Sequence, residues 1–264
     1  MRYGMPYRGS KNQIAKWVIE NLPKKENLYD LFGGGGAITH CACESGKYTQ
    51  IYYNDCNQLV VKAFDMAIHG KFRNENRWIS HDEFMEKRRT DPYVAFCFSF
   101  GNNLRSYAYN KENEVIKQEI HKNYFENNID IPQEIKLQSL NALNRLNDLE
   151  KINRDLIKIH NQDYKNFDIK DNSVIYCDPP YSCSENYIRA EKFDYEVFYS
   201  WCESQKELTV ISEYEMPQDH FVCVAQREKI ALMKKDDNTT KKTEILFVPK
   251  HQYQMYLDAM AVLS

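Results

Sequence analysis

This 264-residue chain lacks several things, and each absence narrows what it can be. No uninterrupted apolar run approaches the ~18 residues that a membrane-crossing helix needs. The opening stretch MRYGMPYRGSK has no apolar core of the kind that marks a secretion signal. The eight cysteines form no CxxC pair and no His/Cys spacing of a zinc site, and Cys41 and Cys43 are the only close pair. They read as reduced, mostly buried thiols of an intracellular chain. A strong charge of either sign is also missing. The net charge of -3 falls short of the basic balance usual in nucleic-acid binders, although a net value averages over faces. There is no internal repeat and no low-complexity linker. The glycine run Gly33–Gly36 lacks the Lys-Ser/Thr that must follow in a phosphate-cradling P-loop, and it fits GxGxxG poorly.

The 42% of apolar residues suffices for one large domain, or for one domain with an insert. In KNQIAKWVIENL (11–22), Ile14, Trp17, Val18 and Leu22 share a helical face, and Pro23 stops the helix. NLYDL (27–31) reads as a short strand running into the glycines, 37–45 as a helix, and QIYY (50–53) as a second strand ending at Asn54-Asp55. Strand, glycine turn, helix, strand, acid is the opening of a doubly wound α/β sheet. From about 58 to 160 the texture becomes helical, charged and Asn-rich. Leu140, Leu143, Leu146, Leu149, Ile152 and Leu156 predict a helix across 137–159. Short strands return at 173–177, 208–212, 220–225 and 243–248. The expected organisation is a catalytic α/β domain (1–57 and 160–264) interrupted by a mostly helical insert (58–159).

Two places carry chemistry. A glycine turn allows a close backbone approach to a ligand, and a carboxylate closing the next strand, Asp55, is placed to bind ribose hydroxyls. Turn plus acid suits an adenosine-bearing cofactor without a pyrophosphate, and S-adenosylmethionine fits that description. The bland reading is a flexible turn with an Asn-Asp turn former. The second place is SVIYCDPPYSCSE (173–185), an apolar strand ended by Asp178-Pro179-Pro180-Tyr181. Two prolines cannot extend a central strand, and they leave backbone carbonyls free to accept. Asp178 and the Pro179 carbonyl would accept from one NH2 group, with the Tyr181 ring alongside. That is a site for a planar base bearing an exocyclic amine.

These residues carry a family resemblance over essentially the whole chain. It resembles the Dam-like, D12 class of DNA adenine-N6 methyltransferases, including their phage-borne members. The resemblance implies a Rossmann-like S-adenosylmethionine-dependent methyltransferase sheet with an inserted target-recognition domain. PYRGSK resembles the family's cofactor-binding motif and implies that Tyr7 and Lys11 contact S-adenosylmethionine. DLFGGGGAIT resembles its glycine motif, putting Asp30, Phe32, Gly33, Gly34 and Gly35 at the cofactor, and YYNDCN puts Asp55 at the ribose. NQDYKNF carries over Asp163 and Tyr164, beside the cofactor adenine. DPPY resembles the family's catalytic motif, carried onto Asp178, Pro179, Pro180 and Tyr181, which implies that Asp178 also lies next to the cofactor. FCFSFGNNLRSYAYN (96–110) resembles the segment that enters DNA. It departs from better-known members at Asn103, where they have glycine, and at Arg105, which falls one place early, so the target sequence stays open, with GATC among the candidates.

For DNA contact the candidates are Asn102, Asn103, Leu104, Arg105 and Tyr107, where amides, a guanidinium and rings suit base edges and stacking. Basic residues elsewhere add Lys71, Arg73, Arg77, Lys87-Arg88-Arg89, Lys234, Lys235, Lys241 and Lys242; singly, a solvated surface charge explains each. The resemblance implies double-stranded DNA as partner, no membrane, no metal, a monomer or weak dimer, and the cytoplasm of a bacterium or phage-infected host. Three rival substrates remain, namely cytosine N4, RNA adenine and a protein glutamine. A catalytically silent DNA-binding protein is the rival from another class, with no need of the cofactor set.

Overall fold

The computed structural model describes residues 2–132, 135, 137–180, 193–229 and 242–261. Its centre is a seven-stranded sheet in the order β3-β2-β1-β4-β5-β7-β6. The strands are β1 (Asn27–Asp30), β2 (Gln50–Asn54), β3 (Ile157–His160), β4 (Ser173–Cys177), β5 (Leu208–Glu213), β6 (Phe221–Lys229) and β7 (Lys242–Pro249). All ladders from β3 across to β5 are parallel, and β7 runs antiparallel to both β5 and β6. The expected doubly wound sheet is therefore present. From β1 the chain winds outward through β2 and β3, then returns to lay β4 against the other side of β1. That reversal makes β1/β4 the topological switch point, where open α/β sheets bind ligands.

The α-helices among the described residues are α1 (Ala15–Glu20), α2 (Ala37–Ser45), α3 (Gln58–Ile68), α4 (His81–Lys87), α5 (Pro92–Phe98), α6 (Lys111–Asn127), α7 (Gln138–Asp148), α8 (Tyr195–Ser204) and α9 (Tyr253–Ala261). Successive strand residues face opposite sides, and the two cores follow that alternation. Leu28, Ile51, Val174 and Tyr176 pack with Val18, Ile38 and Tyr256 of α1, α2 and α9. Tyr29, Tyr52, Ile175 and Cys177 pack with Phe198 and Cys202 of α8. Strands β1, β4 and β5 are buried at every residue, as expected of parallel strands covered on both faces. A third core joins α3, α4, α5 and α7 to Met5 and Tyr53, so the helices between β2 and β3 grow directly from the end of β2.

The leucine periodicity misled at one point. The helix expected to reach Ile159 ends at Asp148, and two 3-10 turns lead into β3. Ile157-Lys158-Ile159-His160 alternates in period two, and it pairs with Ile51 through Asn54 along the otherwise open edge of β2. Satisfying that row of backbone groups outweighs a continued helical stripe. Strand β3 also lies across the boundary expected for the insert.

Local signals explain α5. Asp91 Oδ1 accepts from the amides of Tyr93 and Val94, at 2.9 and 3.4 Å, and Pro92 opens the first turn. The helix that follows is buried at all seven positions. Asp91→Ala should cost about 1 kcal/mol of stability, whereas Asp91→Asn, which keeps an accepting oxygen, should cost less. Denaturant unfolding of the two variants beside the wild type measures this.

Candidate active site

The glycine turn is clamped. Gly33 N donates to Asn54 O at 2.7 Å, Gly34 N to Asp55 Oδ2 at 2.9 Å, and Gly36 N to Gly33 O at 2.7 Å. The Tyr53 hydroxyl donates to Gly34 O at 2.8 Å. Gly36 has φ +69°, and a Cβ there would lie 2.3 Å from the Phe64 ring. A Cβ on Gly33 would lie 2.3 Å from the Tyr53 ring. Glycine at these two positions is thus required for the turn to fold against β2 and α3. Asp30, the last residue of β1, is fully buried, and its Oδ2 accepts from Thr39 N (3.2 Å) and Thr39 Oγ1 (2.7 Å). It ties the strand to the first turn of α2. Burial pushes its carboxyl up to about 7; the Thr39 hydrogen bonds oppose this, and the charges of Asp178 and Asp55 add to it.

Asp55 closes β2 and bridges both sides of the turn: Oδ2 takes the Gly34 amide, and Oδ1 the Asn57 amide at 2.8 Å. Burial raises its carboxyl above the usual range, and those two amides pull it back. Asn54, read from the sequence only as a turn former beside Asp55, donates through Nδ2 to Leu31 O (2.9 Å) and Gln162 O (3.1 Å), and accepts from Gln162 N at 3.0 Å. It thereby sets 162–164 beside the end of β1. There the Tyr164 ring packs 5.3 Å from Phe32, 5.6 Å from Phe198 and 5.0 Å from Trp201, forming an aromatic wall. Asp163 is exposed; Oδ1 accepts from Lys165 N at 2.9 Å, and Oδ2 lies 3.3 Å from Lys165 Nζ.

Asp178 follows β4 directly, across the switch point from the glycine turn. Lys11, only 4% exposed, places its ammonium 2.7 Å from Asp178 Oδ1 and 2.9 Å from Glu244 Oε1. Burial works against that charge, yet Asp178 and Glu244 raise Lys11 above the ordinary lysine value. Glu244 is wholly buried in β7 and also accepts from Ser212 Oγ at 2.8 Å. Lys11 arrives on the N-terminal segment, which Met5 N pins to Gly35 O at 2.6 Å. Arg145 Nη2 of α7 donates to Gly4 O and Met5 O, at 3.1 and 3.0 Å. Tyr7 packs over Gly34 and Gly35 and stacks on Phe96, centroids 6.3 Å apart. Pro179 is buried, and Tyr195 donates its hydroxyl to Pro180 O. Tyr181, Lys234, Lys235 and Lys241 lie outside the described residues, as does the side chain of Lys242.

Residues 99–107 form a small hairpin held by a Ser99–Tyr107 bridge and by Phe100 N donating to Ser106 O at 2.7 Å. Asn102 and Leu104 both lie in the left-handed region, at φ +56° and +58°. Asn103 Oδ1 accepts from Arg105 N and Ser106 N, at 2.8 and 2.9 Å. Arg105 is exposed, and so is Phe100 (63%), an apolar side chain at the base of the hairpin that the sequence did not single out. Tyr107 turns inward, donating its hydroxyl to Ile79 O at 2.7 Å. Arg73 and Arg77 are engaged in ion pairs, Arg73 with Glu150 and Arg77 with Glu75 and Asp91. An open cavity of about 660 Å³ beside the hairpin is lined by Phe100, Tyr107, Tyr109 and Lys117, and none of the residues around Asp178 lines it. Among the described residues no cluster of His, Cys, Asp and Glu is arranged to hold a metal ion, and none of their helices is long and apolar enough to cross a membrane.

The sequence matches the profile of a family described as D12 class N6 adenine-specific DNA methyltransferase over residues 7–227. That stretch includes Lys11, the glycine turn, Asp55, the hairpin and Asp178; Glu244 lies beyond it. No curated protein gives a significant match. Among solved structures, a candidate methylase of Haemophilus influenzae, HI0767, aligns over 92% of this chain and 90% of its own, at 11% identity and a TM-score of 0.36. A likeness that remote bears on neither fold nor function.

The state of Asp30 gives a pH prediction. An acid whose folded value is raised to about 7 holds its proton in the folded state after the unfolded chain has lost it. The contribution of Asp30 to stability therefore falls as pH rises from about 4 through 7. Asp30→Asn keeps an oxygen for Thr39 and removes that slope. The variant should gain on the wild type between pH 5 and pH 8, read from denaturation midpoints of both proteins at each pH.

Proposed function

Because the chain belongs to the D12 class of N6 adenine-specific DNA methyltransferases, we propose that it methylates an adenine flipped out of duplex DNA, using S-adenosylmethionine as the donor. The observation that carries this reading is the convergence on one sheet edge, around the switch point, of the clamped glycine turn, Asp55, the Phe32–Tyr164 wall and Asp178. The donor set suits that cofactor. Asp55 would take ribose hydroxyls, Phe32 and Tyr164 would flank the adenine ring, and Tyr7 would close over Gly34 and Gly35. The acids around the turn, Asp30 and Asp55, favour a cation over a phosphate. When bound, S-adenosylmethionine supplies an electrophilic methyl group on a sulfonium sulfur.

The target nitrogen is buried inside the duplex, so the base must leave the stack at a cost of a few kcal/mol. Asp178 and the Pro179 carbonyl accept the two N6 hydrogens, which localises a lone pair otherwise delocalised into the ring. The same two acceptors stabilise the positive charge that develops on N6. One N6 proton must then depart, and Asp178 is the carboxylate placed to receive it. Lys11, holding Asp178 Oδ1, orients that carboxylate, in addition to the cofactor contact its motif implies. Tyr181 supplies the motif's ring for stacking on the flipped base.

The helical segment between β2 and β3 is the target-recognition part, and the cytoplasm is where such an enzyme meets its DNA. Within that segment the hairpin leads, through Asn102, Asn103, Leu104 and Arg105, with the exposed Phe100 beside its closing bridge. Arg73 and Arg77 would have to exchange carboxylates for phosphates to take part.

Asp178→Ala should still fold and bind S-adenosylmethionine, yet transfer no labelled methyl group to duplex DNA; substantial residual transfer would remove Asp178 from its role. Running RNA and protein substrates alongside separates the rival amines. Arg105→Ala should weaken duplex binding about 5-fold or more, the ~1–3 kcal/mol of a specific base contact. Unchanged affinity in a fluorescence-anisotropy titration would take Arg105 out of the interface.

A further inference from the structure

Two carboxylates share one ammonium in the core of this protein, and only one of them belongs to the catalytic motif. Lys11 Nζ is 2.7 Å from Asp178 Oδ1 and 2.9 Å from Glu244 Oε1. The side chains of Lys11 and Glu244 are 3% and 0% exposed. Ser212, one residue before the end of β5, donates to the same Glu244 oxygen at 2.8 Å. Glu244 sits in TEILFV, an otherwise mainly apolar stretch of β7. A lone acid buried in a strand is costly unless it is paired and hydrogen-bonded. Fold stability alone would be served as well by apolar residues in place of both Lys11 and Glu244, since replacing a whole buried ion pair by well-packed apolar groups is often neutral or stabilising.

We propose that Glu244 is a positioning residue for methyl transfer: it anchors the Lys11 ammonium and shares its charge, so that Asp178 is held in orientation without being fully neutralised. This rests on the reading of Asp178 given above. Two effects follow from the geometry. Glu244 and Ser212 sit on adjacent, paired strands of the sheet, so Nζ is held by a second, sheet-borne carboxylate, and the direction of its bond to Asp178 Oδ1 is fixed with it. In addition, an ammonium divided between two carboxylates draws less electron density from each than an ammonium bound to one. Asp178 therefore keeps the acceptor strength it needs toward an N6 hydrogen. Because Glu244 lies outside 7–227, the residues that match the family profile do not include the group that sets the state of their own Lys11–Asp178 pair.

Glu244→Gln removes the charge and keeps an oxygen able to accept from Lys11. In single-turnover methylation of duplex DNA its rate should fall about 10-fold or more, while cofactor and DNA dissociation constants stay within about twofold of wild type. Ser212→Ala, which deletes only the second donor to Oε1, should show a smaller loss in the same direction. In a double-mutant cycle with Lys11→Met, the Glu244→Gln loss should vanish, because Glu244 acts only through Lys11. A wild-type rate in Glu244→Gln overturns the proposal, as does a rate loss that tracks an equal loss of cofactor affinity and of melting temperature, or one that adds fully to Lys11→Met. Should Glu244→Gln fail to fold, an unchanged rate in Ser212→Ala overturns it. A wild-type protein that transfers no methyl group to duplex DNA defeats the underlying reading instead, so the two failures are distinguishable.

Discussion

Strands β1, β4 and β5 have no solvent along their length, so the positions where they can hold a charge against a ligand are their ends. That constraint organises the molecule. The parallel strands all present their carboxyl ends to one edge, and that edge collects Asp30, Asn54-Asp55, Asp178 and Glu213. Two prolines after Asp178 stop the ladder where an acid is wanted and keep a carbonyl out of it. Four glycines after β1 let the chain turn back tightly enough for Asp55 to hold a backbone amide of the turn itself.

An edge rich in acids must also be kept from repelling itself apart. The solution here is uneven. Asp30 moves toward its protonated form and leans on Thr39. Asp55 leans on two backbone amides. Asp178 alone of these three is given a full cation, and that cation is shared with Glu244. The acids differ in role because their partners differ, although their distance from the strand ends is nearly the same.

Much of the frame was legible locally. Strand ends, the glycine run, Asp55 and the DPPY stop are signals contained in a few consecutive residues, and the structure brings them to one edge. Where the sequence misled or stayed silent, the deciding partner was remote. The leucine stripe read as helix up to Ile159 because nothing in 137–159 announces that β2 has an open edge waiting for Ile157–His160. Glu244 reads as an ordinary strand acid until Lys11 is placed against it. Asn54 was overshadowed by its neighbour Asp55, and Arg145 by the leucines around it. Arg73 and Arg77 are basic in sequence, but Glu150, Glu75 and Asp91 engage them in the fold.

Arg145 carries a consequence for how such enzymes can be recombined. It stands on α7, among the helices between β2 and β3, yet its guanidinium grips the carbonyls of Gly4 and Met5, a few residues before Tyr7 and Lys11. The helical segment is therefore part of the scaffold that shapes the mouth of the site as well as the part proposed to read DNA. A recognition segment transplanted from a relative would bring new base contacts but would also have to supply a replacement for this grip. Target preference and donor-site geometry cannot be exchanged here as separate modules unless the graft junctions leave α7 with the host.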